Sequence, residues 1–545
     1  MKSYPLREVD RYTNFNDFIE GNAKKYGDSP ALSWFDRKAN RNDVSFNKLR
    51  DDVMALKSEF IRMGFADKHI AILGENSYEW LLVYFAATCS GAIAVSIDVE
   101  QSTETLLQML EMSKSDVIFY ADAYNEFCQS EFAGKKALYG INTKNSDVLS
   151  VKMLVDRGYE NGICEYEGDR SPRKVASIVF TSGTTSTAKP VMLSHEAILI
   201  NAADAYANVE GGGITFTSLP FYHMYGMTVS VLTNMVAGAH LYINGNMKTV
   251  MRDMQLSNAN TLMAVPLMLE TIHRRLWAAA EESGKADALK KLIKIQKFLK
   301  GSGYKKVLKK LAQIKADCFG SINYIFCGGA YINADIMDEF HNMGITIFQG
   351  YGITECSPLV SVNRNKANKL GSVGLVTANC EVKIEDGEIL VRGKNLMNGY
   401  FCREDLTRDV MKDDWFCTGD IGYLDKDGFL YITGRKKNLI VFKNGKKLSP
   451  EKIEEKIKTI GLVKDVMVYG AATGASTDDV QVAASIYPDK DKTAGLASYE
   501  ILETLQKEID VINKSLPMYQ QIQMISIREQ EFDKTALQKI KRHLA

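Results

Sequence analysis

Hydrophobic positions in the first 180 residues follow two alternating periods. Apolar residues recur at helical spacing over 15–26 and again over 46–60, whereas 69–74 and 92–97 are short, nearly continuous apolar runs. A run of four to six apolar residues is typical of a strand buried on both faces. Such strands, separated by helices of 10–15 residues, are typical of βαβ units. The pattern therefore predicts an α/β fold built on parallel sheet.

The pattern of predicted strands, turns and helices changes twice further along the chain. Predicted strands at 322–327 and 346–348 end in glycine-containing turns, and from about Cys380 short strands and turns predict an antiparallel β region. The last hundred residues alternate helices and strands as a unit of their own. We predict a large N-terminal domain of βαβ sheet subdomains plus a β region over 1–434, followed by a small α+β C-terminal domain over 435–545.

The segment 285–315 is the one marked shift in composition, with eleven lysines interleaved with aliphatic residues. Gly301-Ser-Gly303 divides it, which predicts two amphipathic helices joined by a turn. One interpretation is a solvated helical hairpin that packs through a single face. The other is a basic face that touches acidic lipid headgroups at a membrane surface.

Whole-chain composition narrows the class of protein. Lys+Arg and Asp+Glu both number 67, so no net charge favours nucleic acid as a partner. The nine cysteines are scattered and contain no C-x-x-C pair, which indicates a reducing compartment rather than a disulfide framework or a zinc site. The first residues lack the apolar segment of a signal peptide. We expect a soluble, cytoplasmic protein, with peripheral contact at the inner membrane face as an option.

The segment 179–195 is the first candidate for chemistry. Two predicted strands flank a loop of hydroxyl side chains with one glycine and one lysine, and nothing in it larger than alanine is apolar. Hydroxyls, backbone N–H groups and an ammonium group can surround a polyphosphate. A Ser/Thr-rich surface hairpin is the alternative, because these residues also favour turns.

Further clusters of small and polar residues follow other predicted strands, at 328–330, 350–355, 419–420 and 434–435. Ligands bind at the carboxyl ends of strands in open α/β sheets. His223 follows another strand, among aromatic residues. A lone histidine in such a place is more often a hydrogen-bonded structural residue than an acid or base, and a pocket wall is the minority interpretation.

In this order and spacing, the clusters resemble the adenylate-forming superfamily of acyl-CoA synthetases, luciferases and carrier-protein adenylation domains. Three features resemble the long-chain fatty acyl-CoA synthetases within it: the lysine-rich insert, the run Gly434-Arg-Lys-Lys-Asn438, and the ending from Phe532 to Arg542. The resemblance implies that a fatty acid attacks the α-phosphorus of ATP to give acyl-AMP and pyrophosphate. The acyl group then passes to the thiol of coenzyme A.

The resemblance also implies roles for individual residues. Glu355 would ligate Mg²⁺, with Thr354 near the α-phosphate, and His223 would line the carboxylate end of the acyl pocket. Tyr351, followed by Gly352, would stack on adenine; Asp420 would accept both ribose hydroxyls, and Arg435 would donate to the same sugar. Two further sets of residues are expected to contact the nucleotide. The β- and γ-phosphates would be held by a loop that contains Thr181, Ser182, Gly183, Thr184, Thr185 and Lys189. The backbone of Gly328, Gly329 and Ala330 would closely approach the other face of the adenine.

Lys539 matches the family's catalytic lysine, which bridges the carboxylate and the α-phosphate during adenylation. The family then rotates its small, mobile C-terminal domain about a hinge, here Lys437, so that Lys539 leaves and a channel for pantetheine opens. The same pocket would serve both half-reactions.

Two positions in the phosphate loop depart from the family pattern. Ser186 replaces a glycine, which costs about 1 kcal/mol if the position requires a positive φ, and Pro190 removes an N–H donor beside the lysine. Asp533 and Gln538 replace a common proline and glycine near the C-terminus. Two alternatives stay open: an acyl-carrier protein as the acceptor in place of CoA, and a non-catalytic nucleotide- or acyl-binding protein. Acyl chain length and oligomeric state are not encoded in any motif.

Overall fold

The computed structural model describes residues 4–145, 147–181, 188–298, 305–330, 332–443, 446–472, 480–534 and 540–542. These residues form two large sheets with helices, a smaller antiparallel sheet, and a C-terminal α+β unit. The predicted fold class, α/β with a separate small C-terminal domain, is confirmed. The boundary predicted after residue 434 falls within a strand, Leu430–Arg435, that runs one residue past it.

The first large sheet has seven strands, and its centre is parallel as the apolar runs predict. In spatial order the strands are Gly399–Tyr400, Lys189–Ser194, Val175–Thr181, Ile93–Ser96, His69–Leu73, Val117–Tyr120 and Ala137–Gly140. The helices that accompany it are Phe15–Tyr26, Phe46–Arg62, Tyr78–Cys89, Thr103–Met112, Asn125–Phe132, Val151–Asn161 and His195–Asn208. Ser45 caps the second of these by accepting the N–H of Lys48, the role that a serine at a helix start predicts.

One edge of this sheet is antiparallel, which the prediction of parallel sheet missed. Val175–Thr181 pairs antiparallel with Lys189–Ser194, and the latter pairs antiparallel with Gly399–Tyr400. Only seven residues separate the first two strands, whereas a parallel pairing needs a crossover of a dozen or more. The short hydroxyl-rich loop therefore forces the chain to return alongside the strand it has just left.

The second large sheet has nine strands and is also mixed. In spatial order they are Leu375–Val376, Leu359–Val362, Thr346–Gly352, Tyr324–Cys327, Thr261–Ala264, Ile214–Thr217, His240–Ile243, Pro30–Phe35 and Arg41–Ser45. Its helical elements are Tyr225–Leu232 (a π-helix), Thr233–Ala237, Val250–Leu256, Pro266–Glu282, Ala286–Phe298, Lys305–Phe319 and Ala334–Asn342.

The strand Thr346–Gly352 is longer than the predicted 346–348, since it continues through the glycines that were predicted to form a turn. It pairs antiparallel with Leu359–Val362. A Cβ added at Gly352 would lie 2.2 Å from the carbonyl oxygen of Pro358. The glycine therefore permits the close approach of two backbones.

The β region comprises Cys380–Glu385, Glu388–Gly393, Met411–Lys412, Trp415–Leu424 and Leu430–Arg435, all paired antiparallel as predicted. The short helix Glu404–Val410 precedes the third of these. The C-terminal unit packs the helices Glu451–Ile457 and Ser498–Lys514 on a three-stranded sheet of Val463–Ala472, Val480–Pro488 and Ile522–Ile527. A two-stranded ribbon, Ile440–Val441 and Lys447–Leu448, leads into it.

The lysine-rich segment forms two helices, Ala286–Phe298 and Lys305–Phe319, as predicted; the Gly-Ser-Gly turn between them lies outside the described residues. Leu289, Ile293 and Leu311 are buried in the core under the second sheet, so the pair packs through its apolar positions. Within the described ranges, no helix is both long enough and apolar enough to cross a bilayer.

Candidate active site

A cleft of ≈ 1940 Å³ lies at the carboxyl ends of strands from both large sheets and continues to the C-terminal unit. Its lining residues range from Phe180 to Arg542 in the sequence. Thirteen of the predicted site residues line it: Thr181, Lys189, His223, Gly328, Gly329, Ala330, Tyr351, Gly352, Thr354, Glu355, Asp420, Arg435 and Lys437. The predicted Ser182, Gly183, Thr184, Thr185 and Lys539, with the variant Ser186, lie outside the described residues.

Asp420 is the centre of the best-defined cluster in the cleft. It is 3% exposed and lies opposite Arg435 in the antiparallel register of two strands. Arg435 Nε lies 2.8 Å from Oδ1 of Asp420, and the Tyr351 hydroxyl donates to Oδ2 at 2.7 Å. Burial, followed by the charge of Asp420, raises the pKa of Tyr351 well above its usual value, so the hydroxyl remains a donor. Each carboxylate oxygen keeps a second lone pair for a diol.

Glu355 lies on the 3₁₀ turn Thr354–Cys356, directly after the strand that carries Tyr351. Its Oε1 accepts a hydrogen bond of 2.8 Å from the Tyr400 hydroxyl. The ammonium group of Lys189 lies 5.1 Å from the centre of the same tyrosine ring. The structure thus places the predicted metal carboxylate and the predicted phosphate lysine on two sides of one buried aromatic residue.

Three cationic side chains, those of Lys189, Arg435 and Lys437, interact at one end of the cleft, which we name the cationic end. Burial, then Arg435 and then Lys189, lower the pKa of Lys437 to about 8, and Asp420 only partly opposes this. A lowered lysine pKa means that the ammonium form is disfavoured where it stands. An anion with several charges would relieve the repulsion among these three cations. The site is therefore electrostatically suited to a polyphosphate.

Contacts on either side of Lys437 lead to different parts of the chain. Lys436 Nζ donates to Glu388 of the β region at 2.6 Å, and the same carboxylate accepts the N–H of Gly419 at 3.0 Å. Asn438 Nδ2 donates to Glu451, at the start of the helix Glu451–Ile457, at 2.7 Å. The residue predicted as a hinge is thus flanked by one anchor in the large part and one in the small part.

Gly328 lies at the end of the strand Tyr324–Cys327, under the ring of Tyr225. A Cβ at Gly328 would lie 3.3 Å from that ring, and Gly329 has a φ of 87°, a conformation that glycine adopts readily. The Tyr225 hydroxyl donates to the carbonyl oxygens of Phe326, at 2.8 Å, and Ala264, at 3.2 Å. His223 is 8% exposed, and its carbonyl oxygen accepts the Met227 N–H in the turn that opens the π-helix.

A branch of the cleft extends from this point along the second sheet. We name it the sheet-side arm; it is lined by Ala205, Val209, Thr215, Val229, Asn234, Gly238, Thr261 and Met263. Thr261 and Met263 both face it, because alternate residues share a face of a strand, so the arm follows that strand for about 7 Å. The Thr215 hydroxyl donates to Asn234 Oδ1, and Asn234 Nδ2 donates to Ser230 O, both at 2.6 Å. These eight side chains are uncharged; Tyr206 and Glu210 line the cleft beside them, and Glu210 is paired with Arg7.

The segments on either side of the undescribed Lys539 are held by ion pairs. Lys534 Nζ lies 2.7 Å from Asp465, and Arg542 Nη2 lies 2.5 Å and 2.6 Å from the two oxygens of Glu454. Ile540 and Arg542 line the cleft, so the C-terminal segment reaches its edge.

The donor set fits a magnesium ion that is held mainly by its substrate. Among the described residues, no group of three or more His, Cys, Asp or Glu side chains could form a complete metal site. Mg²⁺ characteristically binds one or two carboxylates together with substrate phosphates. Glu355 supplies one such carboxylate beside the cationic end of the cleft, and that arrangement suits Mg²⁺ with a nucleotide.

Sequence reasoning missed Tyr400, Tyr225, Glu388 and the pair Glu454–Arg542. Tyr400 follows a glycine in a short turn-rich stretch, and nothing in its spacing points to Glu355, 45 residues earlier. Glu388 begins a strand and resembles any exposed strand residue in the sequence. These contacts are tertiary, and only the fold reveals them.

Comparison with known families gives matches along most of the chain. Residues 19–401 match the sequence model described as AMP-binding enzyme, and residues 437–545 match that of the AMP-binding enzyme C-terminal domain. The long-chain-fatty-acid–CoA ligase FadD15 of Mycobacterium bovis is 26% identical over 460 residues, which cover 79% of this chain and 76% of that protein. The long-chain-fatty-acid–CoA ligase of Yersinia pestis is 25% identical, with 88% of each chain covered.

Solved structures share the fold over nearly the whole length. An anthranilate CoA ligase, AuaEII, in complex with anthranoyl-AMP gives a TM-score of 0.78 at 17% identity, covering 100% of this chain and 98% of that one. The o-succinylbenzoate CoA synthetase of Bacillus subtilis, in complex with ATP and a magnesium ion, gives 0.73 at 21% identity, covering 97% and 98%. The acids named for these two structures differ from those of the curated relatives, so likeness of fold leaves the acid open.

Proposed function

The chain belongs to the AMP-binding enzyme family, the adenylate-forming acid–CoA ligases, and we propose that its acid is a long-chain fatty acid. The observation that carries the proposal is the sheet-side arm. Its residues Ala205, Val209, Val229 and Met263 are apolar, and the charged neighbour Glu210 is paired with Arg7 at 2.6 Å. An apolar chain would bury its surface there, whereas a short polar acid would leave most of the arm empty.

The first half-reaction requires a carboxylate to approach the α-phosphorus of ATP against like charge. We assign Lys189 and the loop from Thr181 to the β- and γ-phosphates, and Lys539 to the carboxylate and α-phosphate. These cations and N–H groups would stabilise the charge that develops as the acid oxygen bonds to phosphorus and pyrophosphate leaves. Bound Mg²⁺, held by Glu355, would supply further charge neutralisation at the phosphates, with Thr354 beside it.

The remaining contacts position the nucleotide. Asp420 would accept the ribose hydroxyls while Arg435 holds its carboxylate in place, and the Tyr351 ring would stack on adenine with Gly352 and the backbone of 328–330 beside it. His223 would line the pocket where the acid carboxylate meets the arm. The mutual placement of Tyr351, Asp420 and Arg435 supports this assignment, because three separate strands converge on one carboxylate.

The second half-reaction transfers the acyl group from AMP to the CoA thiol. The thiol sulfur bonds to the acyl carbon, the bond to the phosphate oxygen breaks, and AMP leaves. We propose that the C-terminal domain, 435–545, rotates about Lys437 between the two steps. The contacts of Lys436 and Asn438 with different parts of the chain support a pivot at this position.

An acid panel tests the proposed function directly. Acids from acetate to oleate, with aryl acids for comparison, are tested for acid-dependent exchange of labelled pyrophosphate into ATP, and then for thioester formation. We expect exchange with long-chain acids, its loss in Lys539→Ala, and retained thioester formation by that variant from supplied acyl-AMP. The thioester assay compares CoA with an acyl-carrier protein. Exchange with aryl acids alone would refute the fatty-acid assignment, and ATP binding without exchange for any acid would favour a non-catalytic protein.

A peripheral contact with anionic lipid forms the second part of the proposal. On the helix Ala286–Phe298, Phe298 is 86% and Ile295 44% exposed, and the exposed Lys291 and Lys294 flank them. Exposed apolar residues among lysines are typical of helices that lie on acidic bilayers. Co-sedimentation with phosphatidylglycerol vesicles should fall in high salt and in Phe298→Ser. Met518→Ser, at an 83% exposed site in the C-terminal unit, is the matched control. Equal binding to phosphatidylcholine vesicles would contradict the contact.

A further inference from the structure

Tyr400 is a buried side chain that contacts both ends of the predicted phosphate and metal site. It is 3% exposed; its hydroxyl lies 2.8 Å from Oε1 of Glu355, and its ring centre lies 5.1 Å from the Lys189 ammonium group. One aromatic residue thus touches a carboxylate through its edge and a cation through its face.

The ring is fixed relative to the lysine by the backbone. The strand Gly399–Tyr400 pairs antiparallel with Lys189–Ser194, and Tyr400 lies opposite Val191, two residues from Lys189. The Tyr400 N–H donates to the Thr407 hydroxyl at 2.9 Å, so this end of the strand is also held from the far side. Lys189 and Tyr400 therefore share one rigid edge of the first sheet.

The same segment holds Glu355 at two points. The Met397 N–H donates to the carbonyl oxygen of Glu355 at 2.9 Å, and three residues later Tyr400 donates to its carboxylate. The backbone and the side chain of Glu355 are thus oriented from a single stretch of chain.

The Tyr400 hydroxyl is the donor in its bond to Glu355, because an ionised carboxylate can only accept. A hydrogen bond to one oxygen of a carboxylate fixes its plane and leaves the other oxygen for an ion, which is the usual arrangement behind a metal ligand.

We propose that Tyr400 is a positioning residue that sets Glu355 and Lys189 at a fixed separation about a magnesium-bound triphosphate. The proposal rests on the proposed function for the identity of the ligand. It assigns two separable tasks to one side chain. The hydroxyl orients the carboxylate toward the metal ion, and the ring face orients the ammonium group toward the phosphates.

Isothermal calorimetry with ATP, with and without Mg²⁺, separates the two tasks. Tyr400→Phe keeps the ring and loses the hydroxyl, so the Mg²⁺ concentration that half-saturates the enzyme–ATP complex should rise about 10-fold, while metal-free ATP affinity stays within about twofold. Tyr400→Leu also removes the ring, and metal-free ATP affinity should fall about fivefold further. Tyr120→Phe, which removes a buried hydroxyl outside the cleft, should change neither quantity.

Unchanged Mg²⁺ dependence in Tyr400→Phe would overturn the proposal and leave Tyr400 as a residue that only supports the sheet edge. Equal losses with and without Mg²⁺ would overturn it as well. Pyrophosphate exchange by the unaltered protein reports on the proposed function independently, because magnesium-dependent ATP binding can be intact when exchange is absent. Failure of the unaltered protein to bind ATP would refute both.

Discussion

The pair Glu454–Arg542 gives the sharpest test of how the C-terminal unit is held together. Arg542 donates to both oxygens of Glu454 at 2.5 Å and 2.6 Å and to the Val468 carbonyl oxygen at 3.0 Å. The Val468 N–H donates to Glu454 as well. Arg542→Met keeps much of the side-chain volume and removes these charge-assisted bonds, which leaves a carboxylate in the interior.

The magnitude follows from burial. The side chain of Arg542 is 22% exposed and that of Glu454 is 13% exposed, so the pair is largely but not fully withdrawn from water. Breaking a buried ion pair from one side costs about 3–5 kcal/mol, and partial exposure favours the lower end, about 3 kcal/mol. At 1.36 kcal/mol per factor of ten, this corresponds to roughly 150-fold more frequent local opening.

The loss of stability in Arg542→Met should depend on pH in a defined direction. Burial already raises the pKa of Glu454 above its ordinary value, and Arg542 opposes that rise, so the variant should raise it further. A carboxyl whose folded pKa is raised destabilises the folded state when it is ionised. The deficit should therefore be complete well above that pKa and should shrink as the pH falls through it.

Hydrogen exchange with mass spectrometry is the appropriate assay, because it resolves the C-terminal unit from the rest of the chain. Amides of Glu451–Ile457 and Val463–Ala472 should exchange about 150-fold faster at pH 8 in Arg542→Met, and peptides of the first sheet should not change. The double variant Glu454→Gln, Arg542→Met should recover most of the protection. Exchange within twofold of the unaltered protein, or no recovery in the double variant, would refute the reasoning.

Three further predictions concern the cleft and its backbone. Asp420→Asn should weaken ATP binding by about 10- to 100-fold in calorimetry, since it removes the charged acceptor, and unchanged affinity would exclude a ribose contact. With a pKa of about 8, Lys437 loses its charge as the pH rises from 7 to 9, so ATP affinity should decline over that range. The decline should be smaller in Lys437→Arg, because arginine keeps its charge. An identical pH profile in both proteins would contradict this. Gly352→Ala should lower the free energy of unfolding by about 1–3 kcal/mol in denaturant titration, because its Cβ meets the Pro358 carbonyl, whereas Gly344→Ala, with open space around it, should show only the strain of its positive φ.

Much of the architecture could be predicted because it depends on local pattern. Buried strands such as His69–Leu73 are continuous apolar runs, and the helices between them show apolar positions at helical spacing. Where the prediction was wrong, a non-local contact decided the structure. The strand Thr346–Gly352 extends through two glycines because a neighbouring strand approaches them, and that neighbour cannot be read from the local sequence.

In the candidate site, too, residues in local motifs could be predicted, whereas partners that act through tertiary contacts could not. Motif residues such as Lys189, Glu355 and Asp420 could be singled out because each belongs to a compact cluster after a predicted strand, and the structure places them around one cleft. Their roles remain predictions. The partners that orient them could not be found, because Tyr400 and Glu388 act through side-chain contacts across 45 and 31 positions of the chain. Residues 182–187 of the phosphate loop and Lys539 belong to the clearest motifs and lie outside the described residues.

The anchors beside Lys437 bear on the path that the C-terminal unit would take. Lys436 donates to Glu388 of the β region, and Asn438 donates to Glu451 in the first turn of the helix Glu451–Ile457, so in the proposed rotation each neighbour would move with a different part of the chain. The rotation would then be described by the two backbone torsion angles of Lys437 alone. With only these two angles to change, the C-terminal unit would follow the same path in each turnover and would return the cleft to the same geometry.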